Sequence, residues 1–562
     1  MKKWKRITAA ALAAVMMLSL TACKKDGSKD ADSTQTGQAE TSAAVTEGSR
    51  EETTAAGSEA DAAQPAWKSN TDPVDLSWFV GASWYPYTWG DSLVSRNITE
   101  KTGVNVEIVT PTGDVNEELS LLMISGELPD LISLGSWESS YSKLYEGGYV
   151  YALNELADQY DPYFYKVVDG SVIKWHTKED GNLYAIPNDA YGEEQMAETG
   201  MTAATQTFLV RKDLYEDMGS PDMTTPEGFL EALRLLKSDY STYKGEAITP
   251  FYAQGGSGYG LSTFLQNFLA VPYEVEGTLY DRLTDEDYIQ WLKMFRQAYE
   301  EGLMGIDYLV DSEDQVTEKA NNGRYFCMLR EWSGMQEANT ILAQSENPDS
   351  YYIAVDGPSN AKKDAPLIFP GSLDGWMSCF ISKNCKNPDR AIAFLTYLSS
   401  EEGQMDMFLG VEGETYDVTD GKPALKQEFI DMMTTDFDGF SNQYGLCDTY
   451  WMLRNSVIVD QWRPASEPYI QQMSDWADAH AYIEGGIYNN LDPTGDSDAA
   501  IASTRINQKW EEVLPELITA ATEEEFDRIF SEFLEARDSY GYEQVVNYKQ
   551  NLLNERRIKM AD

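Results

Sequence analysis

Five short runs set flat aromatic rings beside charged or amide groups: SWYPYTWGD (83–91), SWES (136–139), LREW (329–332), LDGW (373–376) and YWMLRN (450–455). A sugar ring offers a face of C–H groups and a rim of hydroxyls. An aromatic face covers the first, adding about 0.5–1.5 kcal/mol beyond area burial if aromatic pairs are a guide. Carboxylates, amides and Arg forks suit the hydroxyls, each of which donates and accepts. The candidate ligand contacts are therefore Trp84, Tyr85, Trp137, Glu138, Asn188, Asp189, Glu331, Trp332, Asp374, Trp376, Trp451 and Arg454. Each has a plainer alternative. A Trp is usually buried, and in so acidic a chain a given carboxylate is more often a solvated face than a ligand contact. Trp78, inside a strand, is expected in the core, and Trp175 and Trp462 rank below the listed residues. Tyr87 and Trp89 either face the ligand or hold the loop by packing. Stacked rings alone fall short of the roughly −8 kcal/mol of micromolar binding, so polar groups and closure must supply the rest.

Other chemistries find little support. The two His, His176 and His480, are isolated and do not form a zinc pattern. GGSGYG (255–260) is followed by no Lys and is not a phosphate loop; it either lines the cleft or is a turn. DPTGDSD (492–498) has a calcium-like composition without EF-hand spacing and reads better as a surface loop. A glycoside hydrolase would need two carboxylates about 5–9 Å apart. With 93 acidic residues such a pair can always be imagined, so counting does not discriminate. No catalytic residue, metal or cofactor is assigned. The net charge of −50 excludes a nucleic-acid partner, which needs clustered Lys and Arg.

The elements that must position the aromatic runs follow from hydrophobic period. Leu76, Trp78 and Val80 alternate as in a strand, and Val104, Val106 and Ile108 do so again. Between them a helix can start on Asp91 as N-cap, point Leu93, Val94 and Ile98 inward and stop at Gly103. A second helix carries Leu119, Leu122 and Met123 and closes near Gly126; PDLISLG then suits a central parallel strand. Strand, helix, strand, helix, strand is the start of an open α/β sheet, whose ligands sit outside the carboxyl ends of the strands. The loop 82–89 follows the first strand and SWES the third, so both fall on one sheet edge. Two more helices begin with a cap and a proline: Thr225-Pro226, with Phe229, Ala232, Leu233 and Leu236 in one stripe, and Asn387-Pro388, with Ala391, Phe394, Leu395 and Leu398.

The N-terminus speaks to location. MKKWKR is a positive n-region, and the apolar run after it, about 14 residues, is too short for a bilayer span. LTAC (20–23) resembles the bacterial lipobox, in which Cys23 is acylated and becomes the mature N-terminus; the alternative is a plain secretory cleavage site. Residues 24–66 hold only Val45 as a large apolar residue and read as a tether of roughly 35–40 Å mean span. Of the later cysteines, Cys327, Cys379, Cys385 and Cys447, none forms a C-x-x-C pair; Cys379 sits in an apolar run that suits the core.

SGELPDLI (125–132), GNLYAIP (181–187), FLVRKDLYEDMG (208–219), TTPEGFLEALRLLKS (224–238), MSCFISKNCKNPDRAIAFLTYLSSEEG (377–403) and GVEGETYDV (410–418) occur in this order, and the tail LPELITAATEEEFDRIFSEFLEARDSYGYEQVVNYKQNLLNERR continues the match. In this the chain resembles the extracellular solute-binding lipoproteins of bacterial ABC importers, carbohydrate family 1, the LplA-like Gram-positive branch. The resemblance implies an α/β, two-lobed type II periplasmic-binding-protein fold with the ligand cleft between the lobes. By that analogy residues 1–22 are the signal peptide and 23–72 the lipidated Cys and tether. Lobe 1 takes 73–190 plus 372–420, and lobe 2 takes 191–371 plus 421–562. The implied partners are a carbohydrate, more readily an oligosaccharide, the ABC permease subunits with their ATPase, and the membrane through Cys23. The chain would act as a monomer on the extracellular face of the cytoplasmic membrane. A peptide or other solute in the same fold is the alternative cargo.

Overall fold

The structure is a computed structural model that describes residues 64–561, apart from 191, 201, 256–257 and 307–310. The expected signal peptide, Cys23 and most of the tether lie outside the described residues. A five-stranded sheet has the order β2-β1-β3-β9-β4, from β1 (Val74–Val80), β2 (Val104–Val109), β3 (Leu131–Gly135), β4 (Ala185–Pro187) and β9 (Met377–Ile381). The first three are mutually parallel, whereas β9 runs antiparallel to both β3 and β4. Burial follows position. The outer strand β2 alternates buried Val104 and Val106 with exposed Asn105 and Glu107, and β3, flanked on both sides, is buried throughout. Trp78 is core, its Nε1–H donating to Ser133 Oγ at 2.9 Å.

The connecting helices form where expected, α1 (Leu93–Thr102) and α2 (Val115–Ser125). The cap of α1 is Ser92, not Asp91: its extended backbone brings Oγ onto the Ser95 N–H at 3.2 Å, while the Asp91 carboxylate accepts from Thr88 Oγ1. Gly103 ends α1 at φ 72°, a left-handed turn that glycine takes without strain.

Register places the site. Met377 of β9 pairs with Gly135 at the end of β3, and Ser378 pairs with Pro187 at the end of β4. The loop after β1, the SWES turn, Asn188-Asp189 and the run into Trp376 therefore share one edge. A second, four-stranded sheet has the order β8-β5-β7-β6, from β5 (Gln206–Arg211), β6 (Thr249–Ala253), β7 (Tyr325–Glu331) and β8 (Tyr352–Ala354). There Gln206 pairs with Glu331 and Ala253 with Leu329, again collecting chain ends on one edge. The Thr225-capped helix (Pro226–Asp239) seats Phe229, Leu233 and Leu236 in this second core.

Two segments differ from the expected division. Trp67, assigned to the tether, is buried in a helical turn (Ala66–Ser69), edge-on to Tyr163 at 5.4 Å and Tyr397 at 5.6 Å. The folded body thus takes in residues placed before position 73. Phe429, Phe440, Trp451 and Trp462, expected in lobe 2, pack in the core of the first sheet. The chain leaves that core only afterwards, where Ile470 and Met473 join the second. The reason is apolar matching: Tyr450 and Trp462 of this segment meet Trp89 and Phe408 of the first core, and Trp451 carries the exposed Trp84 ring. The chain ends in three long helices, Asp498–Thr519, Glu523–Tyr540 and Tyr542–Ala561, which pack on the second core through Trp510, Phe526 and Phe533.

Candidate ligand cleft

The two sheet edges and the last helix enclose a cleft of about 2720 Å³. Trp84, Trp137, Asp189, Asp374, Trp376 and Arg454 line it from the first core, and Glu331 lines it from the second. Trp84 is 64% exposed and Trp137 53%. Leaving such rings in water forgoes about 1.5–3 kcal/mol each of burial, a deficit that a flat ligand would make good.

The other candidates are supports rather than lining. Trp451 is buried between Trp84, stacked at 5.7 Å and 27°, and Trp376, at 4.3 Å and 33°. Tyr85 stands edge-on to Trp451 at 5.6 Å, its hydroxyl donating to the Thr449 carbonyl at 2.8 Å. Asn188 is buried and clamps two strand ends: its Nδ2 donates to the Trp451 carbonyl at 3.2 Å and its Oδ1 accepts the Met377 N–H at 2.9 Å. Glu138 accepts from Asn116 Nδ2 at 2.6 Å and from Trp137 Nε1 at 3.1 Å, which holds the Trp137 ring. Trp332 turns its Nε1–H to the Ala204 carbonyl at 2.9 Å and packs on the second core.

Asp189 and Arg454 form the charged wall. Asp189 sits at φ 44°, a left-handed conformation that Asp tolerates. Its Oδ2 takes Arg454 Nη2 at 2.5 Å and Trp376 Nε1 at 3.3 Å, and its Oδ1 takes Ser456 Oγ at 2.7 Å. Arg454 Nη1 also donates to Asp448 at 2.8 Å. Burial alone would raise the Asp448 carboxyl; Arg454 and Arg463 more than offset that and hold it well below the usual carboxylate range.

Further cleft residues carried no sequence signal. Tyr273 stacks between Phe369 at 4.9 Å and 22° and Tyr488 at 4.8 Å and 17°, with Arg282 3.9 Å from its ring centroid. These rings come from three distant segments, so no local run announces them. Trp175 donates to Asp374 Oδ1 at 2.8 Å and lies under the Arg556 guanidinium at 4.7 Å. Beside it His176 is buried, with Nε2 2.7 Å from the Leu373 carbonyl; burial, with Lys178, Lys559 and Arg556 nearby, lowers its pKa to about 3. The ring is therefore neutral and Nε2–H donates. Burial raises Asp374 against the pull of Arg556.

Gly258, Tyr259 and Asp492–Gly495 also line the cleft, which places parts of GGSGYG and DPTGDSD there. Asp492 is bridged by Lys549 at 2.7 Å. Among the described residues no group of three His, Cys, Asp or Glu is placed to hold a metal ion, and no helix is long and apolar enough to cross a membrane.

The family described as bacterial extracellular solute-binding protein matches residues 81–405. Lipoprotein LipO of Bacillus subtilis (strain 168) is 22% identical over 351 residues, 60% of this chain and 66% of that protein. The fructooligosaccharide ABC transporter substrate-binding protein FusA of Streptococcus pneumoniae serotype 4 is 22% identical over 284 residues, 48% of this chain and 51% of that protein. The chain thus spans under two thirds of the length of each of these relatives. Among solved structures, S. pneumoniae FusA in complex with kestose superposes with a TM-score of 0.64 at 14% identity, over 86% of this chain and 100% of that one. The alginate-binding protein AlgQ2 without calcium ion gives 0.63 at 19% identity, over 87% and 100%. These likenesses establish the fold, the mixed α/β, two-lobed architecture of solute-binding proteins.

Proposed function

The chain belongs to the bacterial extracellular solute-binding protein family, and on that footing we propose that it is the substrate-binding subunit of an ABC importer for a carbohydrate. It would close two lobes around an oligosaccharide and deliver it to a membrane permease without turning it over. The observation that carries the reading is the pair of aromatic surfaces in one cleft. Trp84 and Trp376, backed by Trp451 of the first core, form one, and the Phe369–Tyr273–Tyr488 stack is the other. Asp189, Arg454 and Glu331 line the same cleft and carry hydrogen-bonding groups of the kind suited to hydroxyls. The cleft volume exceeds the roughly 300–1,000 Å³ of ordinary small-molecule sites and suits several sugar units. A ligand that touches both lobes favours the closed form by its differential contacts, which is the mechanism of capture.

The same reading divides the body into residues 64–190 with 372–462, around the first sheet, and 202–371 with 463–561, around the second. It anchors the chain by acylated Cys23 on the extracellular face of the cytoplasmic membrane, a placement supported by the lipoprotein relative, with permease subunits as partners.

A thermal-shift screen over plant and mucin oligosaccharides tests the function. A ligand at 100 times its Kd stabilises by about 2.7 kcal/mol. A rise in melting temperature with one glycan class, with the sugar recovered uncut, is the expected result. Hydrolysis products would replace the reading with a glycosidase, and silence across the panel would remove carbohydrate as cargo.

A further inference from the structure

Three cations meet on one side of the cleft in a chain whose net charge is −50. Lys559, near the end of the last helix, donates through Nζ to the carbonyls of Trp175 at 2.7 Å and Thr177 at 2.6 Å, where the helix Gly170–His176 ends. Lys178 is the next residue after Thr177. Arg556, one turn before Lys559, lies over the Trp175 ring and donates to the Ile487 carbonyl at 2.9 Å. All three line the cleft.

Their neutralisation is incomplete. Two interior arginines elsewhere each have a close carboxylate: Arg211 meets Asp213 at 2.7 Å and Arg537 meets Asp281 at 2.8 Å. Buried Arg390 instead donates to the Asp72 and Thr102 carbonyls. Here Arg556 is 3.8 Å from Asp374, whose Oδ1 already accepts from Trp175. Neither Lys178 nor Lys559 has a carboxylate within ion-pair distance among the described residues, and Lys178 Nζ lies 4.8 Å from the Tyr145 ring centroid. Asp374 first, then Glu146 and Asp180, attract Lys178 from beyond ion-pair distance, whereas Arg556 repels it and Lys174 adds to the repulsion at Lys559. Burial together with Lys178, Arg556 and Lys174 pushes Lys559 down to about 8. Gathering cations in a partly dry site costs free energy unless an opposite charge arrives.

We propose that Lys178, Arg556 and Lys559 receive an oxyanion carried by the bound glycan, a carboxylate or a sulfate ester, so that the importer's cargo is an acidic oligosaccharide. The inference rests on the carbohydrate reading and narrows it to a substrate class. Arg and Lys suit such groups by charge-assisted hydrogen bonds, and the neighbouring Trp175 ring would pack on the sugar that bears them.

Titration calorimetry on the full chain with matched pairs tests this: trigalacturonide against the neutral trigalactoside, 3′-sialyllactose against lactose, and 6-sulfo-N-acetyllactosamine against N-acetyllactosamine. The acidic member of at least one pair should bind about tenfold or more tightly, and the pair that responds separates carboxylate from sulfate. Lys178→Met should abolish the preference, and Lys178→Arg should keep it. Equal or better binding of the neutral members, or a preference that survives Lys178→Met, overturns the acidic cargo and leaves the carbohydrate reading standing. No binding by either member of any pair overturns both.

Discussion

Trp84, in the loop after the first strand, stacks at 5.7 Å and 27° on Trp451, which lies far along the chain and is itself buried. One ring is free on its outer face and the other is core, so the two predict opposite phenotypes. Trp84→Ala should change stability by less than about 1 kcal/mol and weaken glycan binding about tenfold or more, read by calorimetry. Trp451→Ala removes the backing of both Trp84 and Trp376 and should destabilise by about 3–5 kcal/mol, read by urea denaturation. Unchanged affinity in Trp84→Ala would remove that ring from the binding surface.

The Asp189–Arg454 pair is partly buried and tied to the Trp376 indole. Asp189→Asn keeps a residue that tolerates the left-handed backbone but deletes the charge that Arg454 faces. It should cost about 2–3 kcal/mol. In a double-mutant cycle with Arg454→Met the coupling should reach about 1.5–3 kcal/mol. A coupling near zero would show that Asp448 alone satisfies the guanidinium.

His176 predicts an acid-side loss of stability. Its folded pKa is about 3 against an ordinary 6.5, so below pH 6.5 the unfolded chain takes up a proton that the native ring refuses. Stability is then lost as pH falls from about 6.5 toward 3, by about 2–3 kcal/mol at pH 4.5. His176→Gln retains a donor for the Leu373 carbonyl without titrating. Denaturation at pH 7 and 4.5 should show the variant losing less than wild type by that amount; parallel losses would refute the assignment. Asp161, raised to about 6 mainly by burial, acts in the same range with opposite sign but equally in both proteins.

Cys327, Cys379, Cys385 and Cys447 are all free and buried. Burial pushes the Cys379 and Cys385 thiols up to about 12 and Cys327 well above its ordinary value. A thiol reagent at pH 8 should label none of the four in the native protein and all of them in denaturant, and reductant should leave the melting temperature unchanged. Native labelling at any of them would locate a local opening.

The chain's periodicities carried the first three strands of the first sheet and the helices between them, because strand and helix periods are local and the caps sit beside them; the antiparallel β9 and the short β4 were not read from them. Ser92 in place of Asp91 shows the grain of that reading: cap identity depends on the backbone angle at one residue. Trp84, Trp137, Asp189, Glu331, Asp374, Trp376 and Arg454 were legible as cleft residues because strand ends in an open sheet face a common edge. Tyr85, Glu138, Asn188, Trp332 and Trp451 support the cleft without lining it, since composition near an element end does not say which way a side chain turns.

What the sequence by itself determined is the opening strands and helices and the family, all properties of contiguous residues. Tertiary structure alone decided that residues 425–462 return to the first core, that Tyr273 stacks between Phe369 and Tyr488, and that Lys559 reaches the carbonyls beside Lys178. Those relations join residues far apart along the chain. They arise because apolar faces must find partners and buried charges must find dipoles, whatever their order along the chain.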